Sequence, residues 1–228
     1  GKGVVYRTGL WGGTEEGSAP FVFGAPGGGA MNFGWYNRPD ALHRDFHVNV
    51  PVTVALMFNS DTARLNLMNT NYNHVTGDVS LNGTGSNLKF ALNEINAAFT
   101  LSGTVSGEGG VQVGNMGNYE RNLLRLYGHN TYEGATVVTE KGLNGIMAAW
   151  PDSIPDYSKT FVTNGYVAAR LGAAEDGVTP RWTADDLWNV MTNVNFAQDG
   201  HLSIDAEECE NATWELSVAD IAANVPNL

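Results

Sequence analysis

A single cysteine, Cys209, in 228 residues excludes an intramolecular disulfide, so packing and hydrogen bonds must hold the fold. The flank Glu207-Glu208-Cys209-Glu210 is acidic and disfavours a thiolate, which makes Cys209 a passive thiol. Charge is scarce too: 16% of residues are charged, 12 basic against 24 acidic, for a formal net charge of -12. Without clustered Lys and Arg a nucleic-acid partner is excluded. No apolar run reaches the roughly 18 residues of a membrane-spanning helix, so no membrane span is expected in this chain. The start at Gly1 reads as a mature or trimmed chain whose signal peptide or anchor lies elsewhere. A weakly charged, acidic surface suits a secreted protein.

The usual signatures of chemistry are also missing. His43, His47, His74, His129 and His201 include no HExxH motif, and zinc is not expected. There is no G-x-S-x-G elbow, and the glycine clusters at Gly27-Gly28-Gly29 and Gly107 to Gly110 precede no basic helix that would cradle phosphate. Asn195, Asp199, Gly200 and Asp205 suggest a calcium loop, but Ala197 and Ala206 fall where ligands are required, and a turn centred on Asp199-Gly200 accounts for the same residues. Asp152, Asp156, Asp176, Asp185 and Asp205 are the carboxylates from which an acid/base pair for glycan cleavage would be drawn. Their ordinary reading is solvated turn and cap acids. No catalytic residue, metal or cofactor is assigned, and the chain is read as a non-enzyme.

Strand signals and glycine are abundant instead. Residues 1-50 combine Gly12-Gly13, Ala25-Pro26 and Gly27-Gly28-Gly29 with Trp11, Phe21, Phe23, Trp35 and Tyr36. These rings either close the end of a core, where copies could assemble, or offer a platform for glycans, with Trp150 a further candidate for stacking on sugar. From Asp45 onward short alternating segments recur about every ten to fifteen residues, as strands with one face buried do. Residues 51-145 are assigned to such strands, and residues 146-228 to a β-rich segment with one short helix over 183-192. Thr183 is the expected N-cap, Asp185 and Asp186 suit the first turn, and Leu187, Val190 and Met191 form the apolar stripe.

No long helix interrupts the strands, which excludes a βαβ arrangement. The repeating rhythm leads to an all-β expectation: a right-handed parallel β-solenoid with an aromatic N-terminal cap and a short C-terminal helix, with a β-sandwich as the alternative.

Two stretches carry a resemblance. AFTLSGTVSGEGG from Ala98 to Gly110, and LRLYGHNTYEGATVV from Leu124 to Val138 followed by Gly142-Leu143, resemble the autotransporter-associated β-strand repeat of bacterial surface proteins. The matching positions are Gly128, Asn130, Thr131, Tyr132, Gly134, Thr136, Val138 and Gly142, with Tyr127 where the repeat usually has Ser. The stretch VGNMGNYERNL from Val113 to Leu123 departs from the pattern, and the coil register there is open. The resemblance implies a passenger-type β-helix in an extracellular, cell-surface setting. The functional expectation is a structural protein, part of a bacterial surface appendage, filament or adhesin, whose partners are copies of itself or other surface components. The alternatives are a glycan-binding or polysaccharide-degrading β-protein and an element like a phage tail fibre.

Overall fold

The computed structural model describes in full residues 75, 77–84, 88, 98–114, 122–139, 144–172 and 181–206, and elsewhere only the backbone of the strands named next. In chain order these are β1 (Val4–Val5), β2 (Phe21–Phe23), β3 (Ala30–Gly34), β4 (Phe46–His47), β5 (Leu56–Asn59) and β6 (Arg64–Met68). β7 (Tyr72–Val75), β8 (Val79–Asn82), β9 (Asn87–Leu92), β10 (Ala98–Leu101), β11 (Val105–Gly107) and β12 (Gly110–Asn115) follow. The last are β13 (Leu123–Leu126), β14 (Thr131–Tyr132), β15 (Thr136–Val138), β16 (Gly145–Ala148), β17 (Thr160–Arg170), helix α1 (Ala184–Asn193) and β18 (Asn195–Asp205).

The strands form where small or β-branched residues alternate. Along β15, Thr136 and Val138 are buried and Val137 is half-buried, as period-two side-chain geometry requires. Pairing is parallel throughout the described strands, and from β2 to β13 each strand pairs with the one three later.

The topology corrects the expected right-handed β-solenoid and its β-sandwich alternative. The strands make one 13-stranded parallel sheet, curled into a half-barrel, beside a 5-stranded parallel sheet. The physical reason is the length of β17. Its eleven residues pair with β15 through Thr160, Phe161 and Val162, and with β16 through Tyr166, Val167, Ala168 and Ala169, so two ladders merge into one sheet. The sandwich fails because the described strands pair in parallel rather than in antiparallel hairpins. Among the described residues one α-helix is present, and the structure is mostly β.

The core is built as columns that run across the ladders. Phe99, Leu124, Ile146 and Val167 occupy matching register positions and are buried, and Leu101, Leu126, Ala148 and Ala169 form a second such column. Each fully buried Leu or Ile contributes about 2 kcal/mol through removal from water. The columns therefore hold the layers together without a disulfide.

Helix α1 starts where the sequence places it. Thr183 Oγ1 accepts from the Asp186 amide at 3.2 Å, and Asp186 accepts from the Thr183 amide at 2.8 Å. Leu187, Val190 and Met191 are buried on one face. Trp182, just before the helix, is fully buried and donates its indole N–H to the Ala149 carbonyl at 3.1 Å, fixing the helix to the end of β16.

Candidate functional site

The repeat-like coil places its chemistry-bearing residues in backbone contacts. Asn130 is 4% exposed; its Oδ1 accepts from the Val105 amide at 2.8 Å and its Nδ2 donates to the Ser153 carbonyl at 2.7 Å. One side chain thus joins the layer before it to the layer after it. Tyr132 is buried with its hydroxyl 2.5 Å from Thr136 Oγ1, closing the turn between β14 and β15. Burial pushes the Tyr132 hydroxyl well above the ordinary tyrosine range, with the Thr136 bond opposing part of the rise.

Gly128 is needed for close approach, since a Cβ there would collide with the Gly103 carbonyl of the preceding layer. Gly134 lies over Gly109 and donates to its carbonyl at 2.9 Å, Thr131 is exposed and Val138 is buried. Gly142 lies outside the described residues.

A polar corner stands beside this coil. His129 Nδ1 lies 2.8 and 2.9 Å from the two carboxylate oxygens of Asp152, and both side chains are largely exposed. The His129 ring centroid is 5.1 Å from that of Trp150, and the Arg181 guanidinium lies 5.5 Å over the Trp150 ring. Three segments distant in sequence converge here on one half-buried indole. Sequence reasoning selected Trp150 and Asp152 separately; nothing in their spacing points to His129 or Arg181.

Among the described residues the remaining candidate carboxylates sit at a cap, in a helix turn and at a strand end. Asp156 accepts from the Ser158 hydroxyl at 2.6 Å and faces Lys159 at 3.4 Å. The Ser158 hydroxyl, followed by the Ser158 amide and Lys159, holds the Asp156 carboxyl below its ordinary value, against an opposing effect of burial. Asp185 sits in the first turn of α1, Asp205 pairs with Arg170, and Asp176 lies outside the described residues.

The expected turn at Asp199-Gly200 is a correction as well. Both residues lie within β18, paired with Asn164 and Gly165, and the irregularity is a bulge: Val162 pairs with Phe196 but Asn164 with Asp199, leaving one extra residue on β18. Among the described residues no group of three or more His, Cys, Asp or Glu is placed to hold a metal ion.

Of the aromatic candidates in the first fifty residues, Phe21 and Phe23 belong to β2, with only their backbone described. Trp11, Trp35 and Tyr36 lie outside the described residues.

The buried cation at the far end of the sheet was not anticipated. Arg170 is buried at the end of β17, where it donates to the Tyr127 hydroxyl, lies 5.6 Å over the Tyr127 ring, and faces Asp205 at 3.8 Å. Tyr127, the departure from the repeat pattern, is therefore the seat for a buried cation. Beyond it, β18 pairs with β17 along its inner edge. Phe196 and Leu202 are only partly buried against the core, and Ile204 is 41% exposed.

Among the described residues no helix is long and apolar enough to cross a membrane. No family model, curated protein or solved structure matches the chain.

Proposed function

We propose that this chain is a non-enzymatic, extracellular structural protein, part of a bacterial surface appendage, filament or adhesin. The observation that carries the reading is how the coil spends its polar side chains. Asn130, Tyr132 and Thr136 are buried and committed to contacts within and between strand layers. Side chains used in this way give a rigid parallel ladder and leave little for turnover of a substrate. The resemblance to the autotransporter-associated repeat supports the same setting. Immunogold labelling of intact cells of the source organism tests it: label on the outer surface is expected, and label confined to the cell interior would refute it.

A second reading, glycan binding, is favoured by the corner where Trp150 meets His129, Asp152 and Arg181. Tryptophan fluorescence titrated with a panel of polysaccharides separates the two. Saturable quenching that is lost in Trp150→Ala supports the glycan reading, and a flat response supports the structural one.

A further inference from the structure

We infer that Asn82 is a self-modification site, where the folded chain deamidates through its own Asn82-Gly83 peptide at the exposed end of β8. The reaction needs no partner and no cofactor, so it stands apart from the structural and glycan readings above.

The Gly83 backbone nitrogen attacks Asn82 Cγ and forms a cyclic imide. The bond from Cγ to the side-chain amide nitrogen breaks, and that nitrogen leaves as ammonia. Water then opens the ring: at Cγ it gives aspartate, and at the main-chain carbonyl carbon it gives isoaspartate. One water enters for each ammonia lost, and nothing is oxidised or reduced. Glycine after the asparagine lets the nitrogen approach, because no Cβ stands in its way. Holding both reacting atoms in one flexible peptide makes the step intramolecular.

Three Asn-Gly pairs occur in the chain, Asn82-Gly83, Asn144-Gly145 and Asn164-Gly165, and their local sequence alone does not separate them. The fold does. Asn144 is 0% exposed; its Oδ1 accepts from the Asn122 amide at 3.2 Å and its Nδ2 donates to the Thr139 carbonyl at 3.4 Å. The Gly145 amide, which would have to attack, donates instead to the Asn122 carbonyl at 2.8 Å. Asn164 and Gly165 lie inside β17, paired with Asp199 and Gly200, and Gly165 is buried against the Asn144 carbonyl. Ring closure at either pair would require the ladder to open. Asn82, in contrast, is the exposed last residue of β8. Gly83 follows outside the strand with φ of 105°, and Thr84 is exposed. A turn beyond a strand end rearranges without opening the core columns.

Register gives the modification a consequence. Leu81 pairs with Gly107 and Gly107 with Tyr132, so Asn82, Glu108 and Glu133 are the next residues of three successive layers, and all are exposed. Deamidation turns the neutral member of this column into a third carboxylate, and like charges facing one another across strands destabilise a sheet. Isoaspartate also routes the main chain through the side chain, at the position where Asn82 pairs with Asn59.

Peptide mapping by mass spectrometry, with aspartate and isoaspartate resolved, tests the inference on the full chain held at mildly alkaline pH. In the folded protein Asn82 is expected to convert while Asn144 and Asn164 stay intact, and in denaturing urea all three are expected to convert at comparable rates. Asn82→Asp should lower the urea midpoint at low salt, by a difference that shrinks as salt rises, whereas Asn82→Gln should keep the wild-type midpoint. An intact Asn82 in folded protein, or conversion of Asn144 or Asn164 as fast as that of Asn82, would overturn the site. A wild-type midpoint for Asn82→Asp at every salt concentration would overturn the consequence drawn from the acidic column.

Discussion

Replacing Asn130 with alanine is expected to cost about 2–6 kcal/mol of folding stability. The side chain is 4% exposed and makes two hydrogen bonds of 2.7 and 2.8 Å, one to each neighbouring layer. Truncation leaves the Val105 amide and the Ser153 carbonyl without these partners in a dry interior, at about 1–3 kcal/mol each. Urea unfolding at pH 7, followed by circular dichroism, reads the loss as a lower midpoint with unchanged slope.

Asn130→Asp sharpens the same reasoning. The new carboxylate can still accept from the Val105 amide but opposes the Ser153 carbonyl, and burial raises its pKa in the folded state. A raised carboxyl pKa makes the variant relatively more stable at low pH, where the protonated group can donate, and less stable as pH rises through that pKa. A loss below about 0.5 kcal/mol for Asn130→Ala, the range of ordinary surface changes, would refute the reading of Asn130 as a clamp between layers.

Three further outcomes follow from other elements. Gly165 has φ of 120° and a Cβ there would collide with the Asn144 carbonyl, so Gly165→Ala should cost about 2 kcal/mol or more, read by the same urea titration. Trp182→Phe removes the indole bond to Ala149 and leaves a void under α1; a loss of about 2–3 kcal/mol is expected in thermal unfolding. Tyr132 and Tyr157 are held protonated, chiefly by burial, above the ordinary tyrosine pKa near 10. Their contribution is complete below pH 10 and falls as pH rises from there toward their folded pKa values, by about 1.4 kcal/mol per unit for each group. Alkaline unfolding should therefore coincide with late tyrosinate absorbance, and early ionisation of every tyrosine in the folded protein would contradict this.

Strand positions between Ala98 and Val138 are legible in the sequence because alternation is local, and α1 is legible because Thr183 and Asp186 make a local cap. The joining of ladders is not local. Asp78 bonds Thr104 across 26 residues and Val105 bonds Asn130 across 25, a near-regular step. Between β17 and β18 the insertion of α1 breaks that step, so the last layer cannot be found by looking for a period. Arg170 is similarly hidden: a cation at the end of an apolar strand reads as a strand terminus, whereas the structure buries it against Tyr127. The His129 and Trp150 corner forms only when the loop after β16 returns over the turn before β14.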